Sequence, residues 1–479
     1  MNMKGALSYS DFKRAGRLVA ADVDESYRLD DPVVVIDSRK VVKGAVFVAL
    51  PGERTDGHRF VCVAFDAGAS WAVVSSEWFS ENGAEHVGEG RRFLVADDPV
   101  VAFQQLATSY RKRFDIPVIG IGGSNGKTTT KEMVAAVLST GFKVLVTQGN
   151  FNNHLGVPLT LLQMRCDTEI AVIEMGINHP GEMDFLCSLA HPTHGLLTNI
   201  GHEHLEFFGS LNGVADAEAA LFRYLEAHSG TAFVNLDDFR LAEAGSALSR
   251  KICYGAQPGE PRTWWADDVG SDRVGRISFM LCSEGGVRQP VAMNFIGRQN
   301  VTNAVASAVV GAHFGLAPEQ IASGLGELIP ASGWKRMELL EAGGVVVLND
   351  TYNANPDSVR LALDTLASLD CSGRKLAVLG DMLELGGNAT LEHESIAHYI
   401  RQLPIDGCAT IGPLAGSCCR NAQEQCLGHF ETMDDLNGFL GDYVRPGDAV
   451  LFKGSRGMKL ELAAEALVKR MAPIKEVSD

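Results

Sequence analysis

The chain has 479 residues, which at roughly 100–200 residues per domain suggests about three domains with ample core and no need of disulfide staples. Hydrophobic residues make up 46% and charged residues 21%, ordinary values that exclude a disordered or fibrous chain. With 42 Lys and Arg against 59 Asp and Glu, the net charge of −17 argues against a nucleic-acid binder or a protein of anionic membrane surfaces. Any phosphate must then be held by local groups. Ten cysteines form no C-x-x-C pair and read as reduced thiols of a cytosolic protein. The most apolar stretch, 301–316, is interrupted by Asn303, Ser307 and His313, short of the ~18 residues of a membrane span. The first residues lack the apolar run of a signal peptide. The expectation is a soluble cytoplasmic monomer acting on small molecules, without nucleic-acid partners or membrane insertion.

In chain order, Ser10 reads as the N-cap of a short amphipathic helix. Short β-branched runs follow at 33–36, 45–50, 71–75 and 93–96. Asp97-Asp98-Pro99 reads as the start of a helix over 98–113, and a first boundary falls near 112. A second series of runs, at 118–121, 144–146, 170–174, 196–200 and 232–235, is apolar enough for strands covered on both faces. Runs at 252–254, 277–281 and 291–295 suggest a small antiparallel appendage, with Trp264 and Trp265 as a packing plug in a polar loop between them. A helix over 301–314 follows. After Pro330 a third series, at 345–349, 376–379, 409–411 and 449–452, has the rhythm of a Rossmann-like domain. The expected class is α/β: domain 1–112, a central P-loop domain 113–329 with the appendage, and a Rossmann-like domain 330–479.

The strongest chemical signal is the strand 118–121 running into Gly123-Ser124-Asn125-Gly126-Lys127-Thr128-Thr129. Small residues let backbone N–H groups curl around a phosphate at a helix N-terminus. Lys127 would neutralise the terminal phosphates of ATP and the Thr128 hydroxyl would reach Mg²⁺. The general spacing would put glycine at 121, where Ile121 stands, so the loop is a tighter form. Glu174 and the His202-Glu203-His204 run close two later strands of the same series, where α/β sheets bind ligands. A carboxylate and an imidazole facing a phosphate loop suit Mg²⁺ completed by phosphate oxygens and water. The two histidines alone read equally as a zinc site or as surface residues.

Six runs make a resemblance specific. They are Asn150-Phe-Asn152-Asn153, Glu174-Met-Gly, Asn199-Ile-Gly-His-Glu-His204, Gly297-Arg-Gln299-Asn300-Val-Thr-Asn303, Asn349-Asp350-Thr-Tyr352-Asn353-Ala-Asn355-Pro and Asp381-Met-Leu-Glu384-Leu-Gly. Together with Lys453-Gly-Ser455-Arg456 they resemble the Mur ligases, and within them the branch that adds D-alanyl-D-alanine. Asp37-Ser38-Arg39 and the 44–60 segment resemble that branch's UDP-binding domain, so the likeness spans all three domains. It implies ATP-driven amide synthesis: a UDP-N-acetylmuramoyl tripeptide carboxylate becomes an acyl phosphate, which the dipeptide amine displaces. Lys127, His204 and Arg336 would serve catalysis. Asn300 and Asn303 would lie near adenine, with Gln299 in place of the family's usual histidine, and Arg336 and Asp350 would reach the nucleotide from the third domain. Thr128, Glu174 and His204 would hold Mg²⁺. Ser38, Arg39, Asn152, Asn153, Tyr352, Asn353, Asn355, Lys453, Ser455 and Arg456 would contact substrates. The alternatives are asparagines that only form turns, for Asn353 and Asn355, and the solvated basic end of a strand, for Lys453, Ser455 and Arg456.

One departure is Glu218, four residues before Phe222. The family carries there a lysine that CO₂ converts to an anionic carbamate near a second Mg²⁺. Glu218 would supply the charge directly, reaching the metal through water, or is a solvated helix residue. The competing functions are a sister ligase adding a single amino acid (folylpolyglutamate synthesis included), a P-loop switch NTPase, and a ligase-like protein without catalysis.

Overall fold

The computed structural model describes residues 5–52, 55–87, 90–259 and 261–472; residues 1–4, part of the stretch read for a leader, lie outside them. Three sheets succeed one another along the chain, each built as the apolar runs dictate. In the first, strands run in the order Arg17–Val19, Arg92–Ala96, Trp71–Ser75, Val46–Val48 and Val34–Val35, parallel except for the first pair. An antiparallel ribbon of Ala6–Ser8 and Arg28–Asp30 flanks it. The helix Tyr9–Ala15 is capped by Ser8, not Ser10. Asp11 lies three residues after Ser8 and accepts the Ser8 N–H at 2.7 Å, closing a capping box that Ser10 has no acid to complete. Asp98 caps the helix Pro99–Arg111, accepting from the N–H groups of Val100 and Val101.

The central sheet has nine strands, in the order Arg288–Ile296, Arg276–Ser283, Trp264–Ser271, Lys251–Tyr254, Thr231–Asn235, His194–Leu197, Val118–Gly122, Ile170–Glu174 and Val144–Val146. The small antiparallel appendage is continuous with the parallel sheet. Of its three expected runs, Lys251–Tyr254 instead pairs in parallel on both sides, and only the pairings of Trp264–Ser271 with Arg276–Ser283 and of Arg276–Ser283 with Arg288–Ile296 are antiparallel. The join is the strand Trp264–Ser271, where the sequence pattern predicts a polar loop. Asp267, Asp268 and Gly270 break its alternation, and pairing with Arg276–Ser283 overrides them across a bulge between Asp267 and Gly270. Trp264 does pack against the core there.

The third sheet runs Glu338–Ala342, Val345–Asp350, Ala449–Lys453, Lys375–Gly380, Gly407–Ile411 and Cys426–Phe430, parallel except for its first strand. One cysteine expectation is corrected here. Cys419, on the helix Gly416–Asn421, and Cys426, opening the edge strand, are disulfide-bonded, their Cα atoms 5.0 Å apart; the other eight cysteines are free. A separation of seven residues carries no sequence signature; adjacency of helix and strand brings the pair together.

One hydrophobic cluster runs from Leu7 of the ribbon and Trp71 of the first sheet to Leu225, on a helix of the central domain, and Val234 of the central sheet. The third domain has its own two clusters, joined from outside only by Ile296 among the described residues. No helix among the described residues is long and apolar enough to cross a membrane.

A histidine pair sits where strand His194–Leu197 meets the helix Gln299–His313, with His194 Nε2 3.1 Å from His313 Nε2. Burial and the neighbouring His313 push the His194 imidazole down to about 4. An unfolded histidine titrates at ~6.5, so between that pH and about 4 the unfolded chain binds more protons and stability is lost as the pH is lowered. The denaturant midpoint is expected to drop across this window and to drop less in His194→Gln; parallel curves for the two proteins would refute it.

Candidate active site

The carboxyl ends of the central strands open into a cavity of about 450 Å³ that the third domain covers. At its floor the strand Val118–Gly122 turns through Gly123 and Gly126, with φ of +104° and +83°, into the helix Lys127–Ser139. A Cβ on Gly123 would strike Thr198 and one on Gly126 would press on Asn303, so glycine is required for shape as well as conformation. Lys127 Nζ donates to the carbonyls of Gly123 and Ser124 and lies 3.5 Å from Glu203 Oε2. Burial alone would lower this ammonium's pKa; the charges of Glu203, Glu218 and Glu174 outweigh it and leave it raised.

Glu174 ends its strand almost wholly buried. Its Oε1 accepts from the Thr128 hydroxyl at 3.2 Å and from Asn152 Nδ2 at 2.8 Å. Asn152 thus holds the carboxylate, while Asn153 spends its Oδ1 on the N–H groups of Leu155 and Gly156. Glu218 has no solvent exposure; its Oε2 accepts the Gly123 N–H at 2.8 Å. It is therefore a strut under the phosphate loop, and the solvated alternative falls. Burial pushes its carboxyl up to about 7, with Glu203 adding to the rise and Lys127 opposing it.

Two contributors went unrecognised in the sequence. Lys131, one turn beyond Lys127, is fully buried and donates to the carbonyls of Thr147 and Gly149, 3.6 Å from Glu174 Oε2. Its signal was the spacing of four on one helix face. Glu203, between the two histidines, lines the cavity. Glu174 Oε2, Glu203 Oε1 and Glu218 Oε1 are all buried without a hydrogen-bond partner. Three carboxylates facing two ammoniums, with three free oxygens, is a donor set short of positive charge, and it fits a hard divalent cation. Among the described residues no three such groups close around one point, so phosphate and water would have to complete the shell.

The opposite wall belongs to the third domain. Arg336 stacks 3.8 Å above the Tyr352 ring and Arg456 lies 5.6 Å from it. Neither guanidinium has a carboxylate partner among the described residues, which leaves two cations facing the phosphate loop. Lys453 and Asp350, assigned to different ligands from the sequence, form one 2.6 Å ion pair, and Lys453 also donates to the Asn353 carbonyl. Asn355 caps the helix Pro356–Ser368 and donates to Asn125 Oδ1 at 2.9 Å. Ser455 accepts from Leu383 N–H and donates to the Ala354 carbonyl. The side chains of Asn153, Asn355 and Ser455 are thus already engaged with protein groups, as their small polar types allow equally well. His204 Nδ1 lies 2.6 Å from Glu384 Oε2, whose pKa the imidazole lowers.

Asn300 and Asn303 line the cavity, tied to each other and to the Ile296 carbonyl. Ser38 and Arg39 are not brought into it: they occupy a turn of the first domain, Arg39 exposed and forked onto Asp37.

A phosphate loop on a parallel sheet, roofed by a second α/β domain carrying arginines without a carboxylate partner among the described residues, defines a nucleotide-binding protein whose site is lined by two domains. Three family descriptions match in order: "Mur ligase family, catalytic domain" over 33–111, "Mur ligase middle domain" over 121–311, and "Mur ligase, glutamate ligase domain" over 335–456. The chain is 37% identical to the UDP-N-acetylmuramoyl-tripeptide--D-alanyl-D-alanine ligase of Bacillus subtilis, over 91% of this chain and 93% of that one. It superposes on a crystal structure of MurF from Acinetobacter baumannii with a TM-score of 0.84 at 29% identity, covering 97% and 99% of the two chains. A MurF ligase from Thermotoga maritima in complex with ADP gives 0.78 at 27% identity, covering 92% and 98%. The chain belongs to the Mur ligase family.

Proposed function

We propose that the protein joins D-alanyl-D-alanine to a UDP-N-acetylmuramoyl tripeptide at the expense of ATP, through an acyl phosphate, in the cytoplasmic assembly of peptidoglycan precursors, and that it acts as a monomer. The observation that carries this is the single cavity in which Lys127, Thr128, Glu174 and His204 face Arg336, Tyr352 and Arg456. The likeness to ligases of that name over the whole chain supports the same reading.

The first step drives a substrate carboxylate against the γ-phosphate of ATP, anion on polyanion; the new O–P bond forms as the bond from the γ-phosphorus to the bridging oxygen breaks and ADP leaves, so neutralisation is the main requirement. Lys127 meets the phosphates from below, and Arg336 and Arg456 from the third domain. Thr128, Glu174 and His204 would hold Mg²⁺, whose contribution is to bind phosphate oxygens and offset their charge. The dipeptide amine then attacks the acyl carbon, the carbon–nitrogen bond forms and phosphate leaves. Closure of the third domain keeps water from the acyl phosphate. Arg39 and Ser38, outside the cavity, would take the UDP end of an elongated substrate.

The test is phosphate release with ATP, UDP-N-acetylmuramoyl tripeptide and D-alanyl-D-alanine, each omitted in turn. Release without the dipeptide would indicate an NTPase, and a single amino acid outperforming the dipeptide would indicate a sister ligase. Glu218 already places its carboxylate against the phosphate loop, so turnover in CO₂-depleted buffer is expected not to rise on adding bicarbonate. A severalfold rise would remove Glu218 from the role of built-in anion.

A further inference from the structure

We propose that Asp357 is a positioning residue that couples closure of the third domain to the shape of the histidine loop; the inference rests on the ligase reading above. Asp357 stands in the first turn of the helix Pro356–Ser368 and does not line the cavity. Its Oδ2 accepts the backbone N–H of His202 at 2.7 Å and lies 3.0 Å from His202 Nδ1, with Oδ1 at 3.2 Å from the same nitrogen. Among the described residues the other charged group paired with this carboxylate is Arg360, at 3.6 Å, which is itself engaged by Ser395 and Glu392.

The contact has a shape requirement. A Cβ on Gly201 would lie 2.8 Å from Asp357 Oδ2 and 3.0 Å from Asn125 Nδ2, so glycine lets the third domain come down onto this peptide. From the other side the phosphate loop grips the same segment. Ser124 Oγ accepts the Gly201 N–H at 2.8 Å, and Asn125 and Asn199 exchange two hydrogen bonds. The loop ahead of His204 is therefore clamped between an element of its own domain and an element of the next. Only the first clamp exists when the domains are apart. Asn355, on the same helix end, reaches Asn125, so one helix terminus reads both the phosphate loop and the histidine loop. His204, two residues beyond His202, takes a left-handed conformation with φ of +50°, uncommon for a non-glycine residue although histidine is among the types that adopt it more readily. Closure, signalled through Asp357, favours that conformation.

The three variants separate backbone from side-chain contact. Asp357→Ala removes both. Asp357→Asn keeps an acceptor for the His202 N–H, and His202→Ala keeps the backbone bond itself. The expected result is that Asp357→Ala lowers kcat by about 10–100-fold, the range for partners that orient reactive groups, with little change in the Kd of MgADP. Asp357→Asn and His202→Ala should keep most of the turnover. Small-angle scattering should show that nucleotide with UDP substrate compacts wild type and Asp357→Asn more than Asp357→Ala. A purely structural role would lower Tm and leave kcat per folded molecule unchanged; that pattern, or an alanine variant that turns over and compacts like wild type, overturns the proposal. Wild type that compacts but releases no phosphate counts against the ligase reading alone, since compaction still reports the clamp.

Discussion

Replacing Lys127 with alanine is expected to cut ATP-dependent ligation at saturating ATP by about 10²–10³-fold, the cost of deleting one preorganised group aimed at developing charge. Arg336 and Arg456 lie on the far wall and do not reach behind the phosphates, so they do not replace it. The fold should survive. Deletion leaves Glu174, Glu203 and Glu218 without their shared cation, ordinarily a severe penalty. Here burial has already pushed Glu218 up to about 7, so it relieves the repulsion by taking a proton near neutral pH, while Lys131 stays beside Glu174. Turnover above a tenth of wild type, with an unchanged melting curve, would reject the assignment of Lys127 to the phosphates.

Replacing Glu174 with glutamine should cost a comparable factor, about 10²-fold, but with a different signature. Glutamine retains an oxygen for Thr128 and Asn152, so the local hydrogen bonds at 3.2 and 2.8 Å are preserved. What disappears is the charge, together with the free oxygen facing Lys131. The Mg²⁺ titration of turnover should shift to higher concentration and recover part of the rate at saturation. An unchanged titration with a reduced rate would assign Glu174 to holding Lys131 and the 147–149 turn instead.

How much of this was readable in advance follows from what lies close in sequence. The phosphate loop was legible because one contiguous run supplies strand, turn, cation and hydroxyl. Glu174 was legible because it ends an apolar strand, whereas the bond from the Gly123 N–H to Glu218 was not, since the resemblance placed Glu218 near a metal and 95 residues separate the two. The strand Trp264–Ser271 was hidden because its partner, rather than its own pattern, makes it a strand. The bonds that Asn153, Asn355 and Ser455 make to protein groups were not legible, because a small polar side chain looks the same whether it faces ligand or backbone. Asp357, the Lys453–Asp350 pair and the Cys419–Cys426 bridge depend on tertiary neighbours, which no local spacing records.

The distribution of apolar side chains bears on how the molecule comes apart. Because one cluster spans both of the first two domains, from Leu7 to Cys253, they are expected to melt together even though each also holds a cluster of its own. Among the described residues the third keeps its two clusters to itself but for Ile296, so it is expected to form a second calorimetric unit. Ligands spanning the seam bind only when both units are folded, and mass action therefore stabilises both. A heating scan should show two transitions in the free protein that draw together as nucleotide and UDP substrate are added.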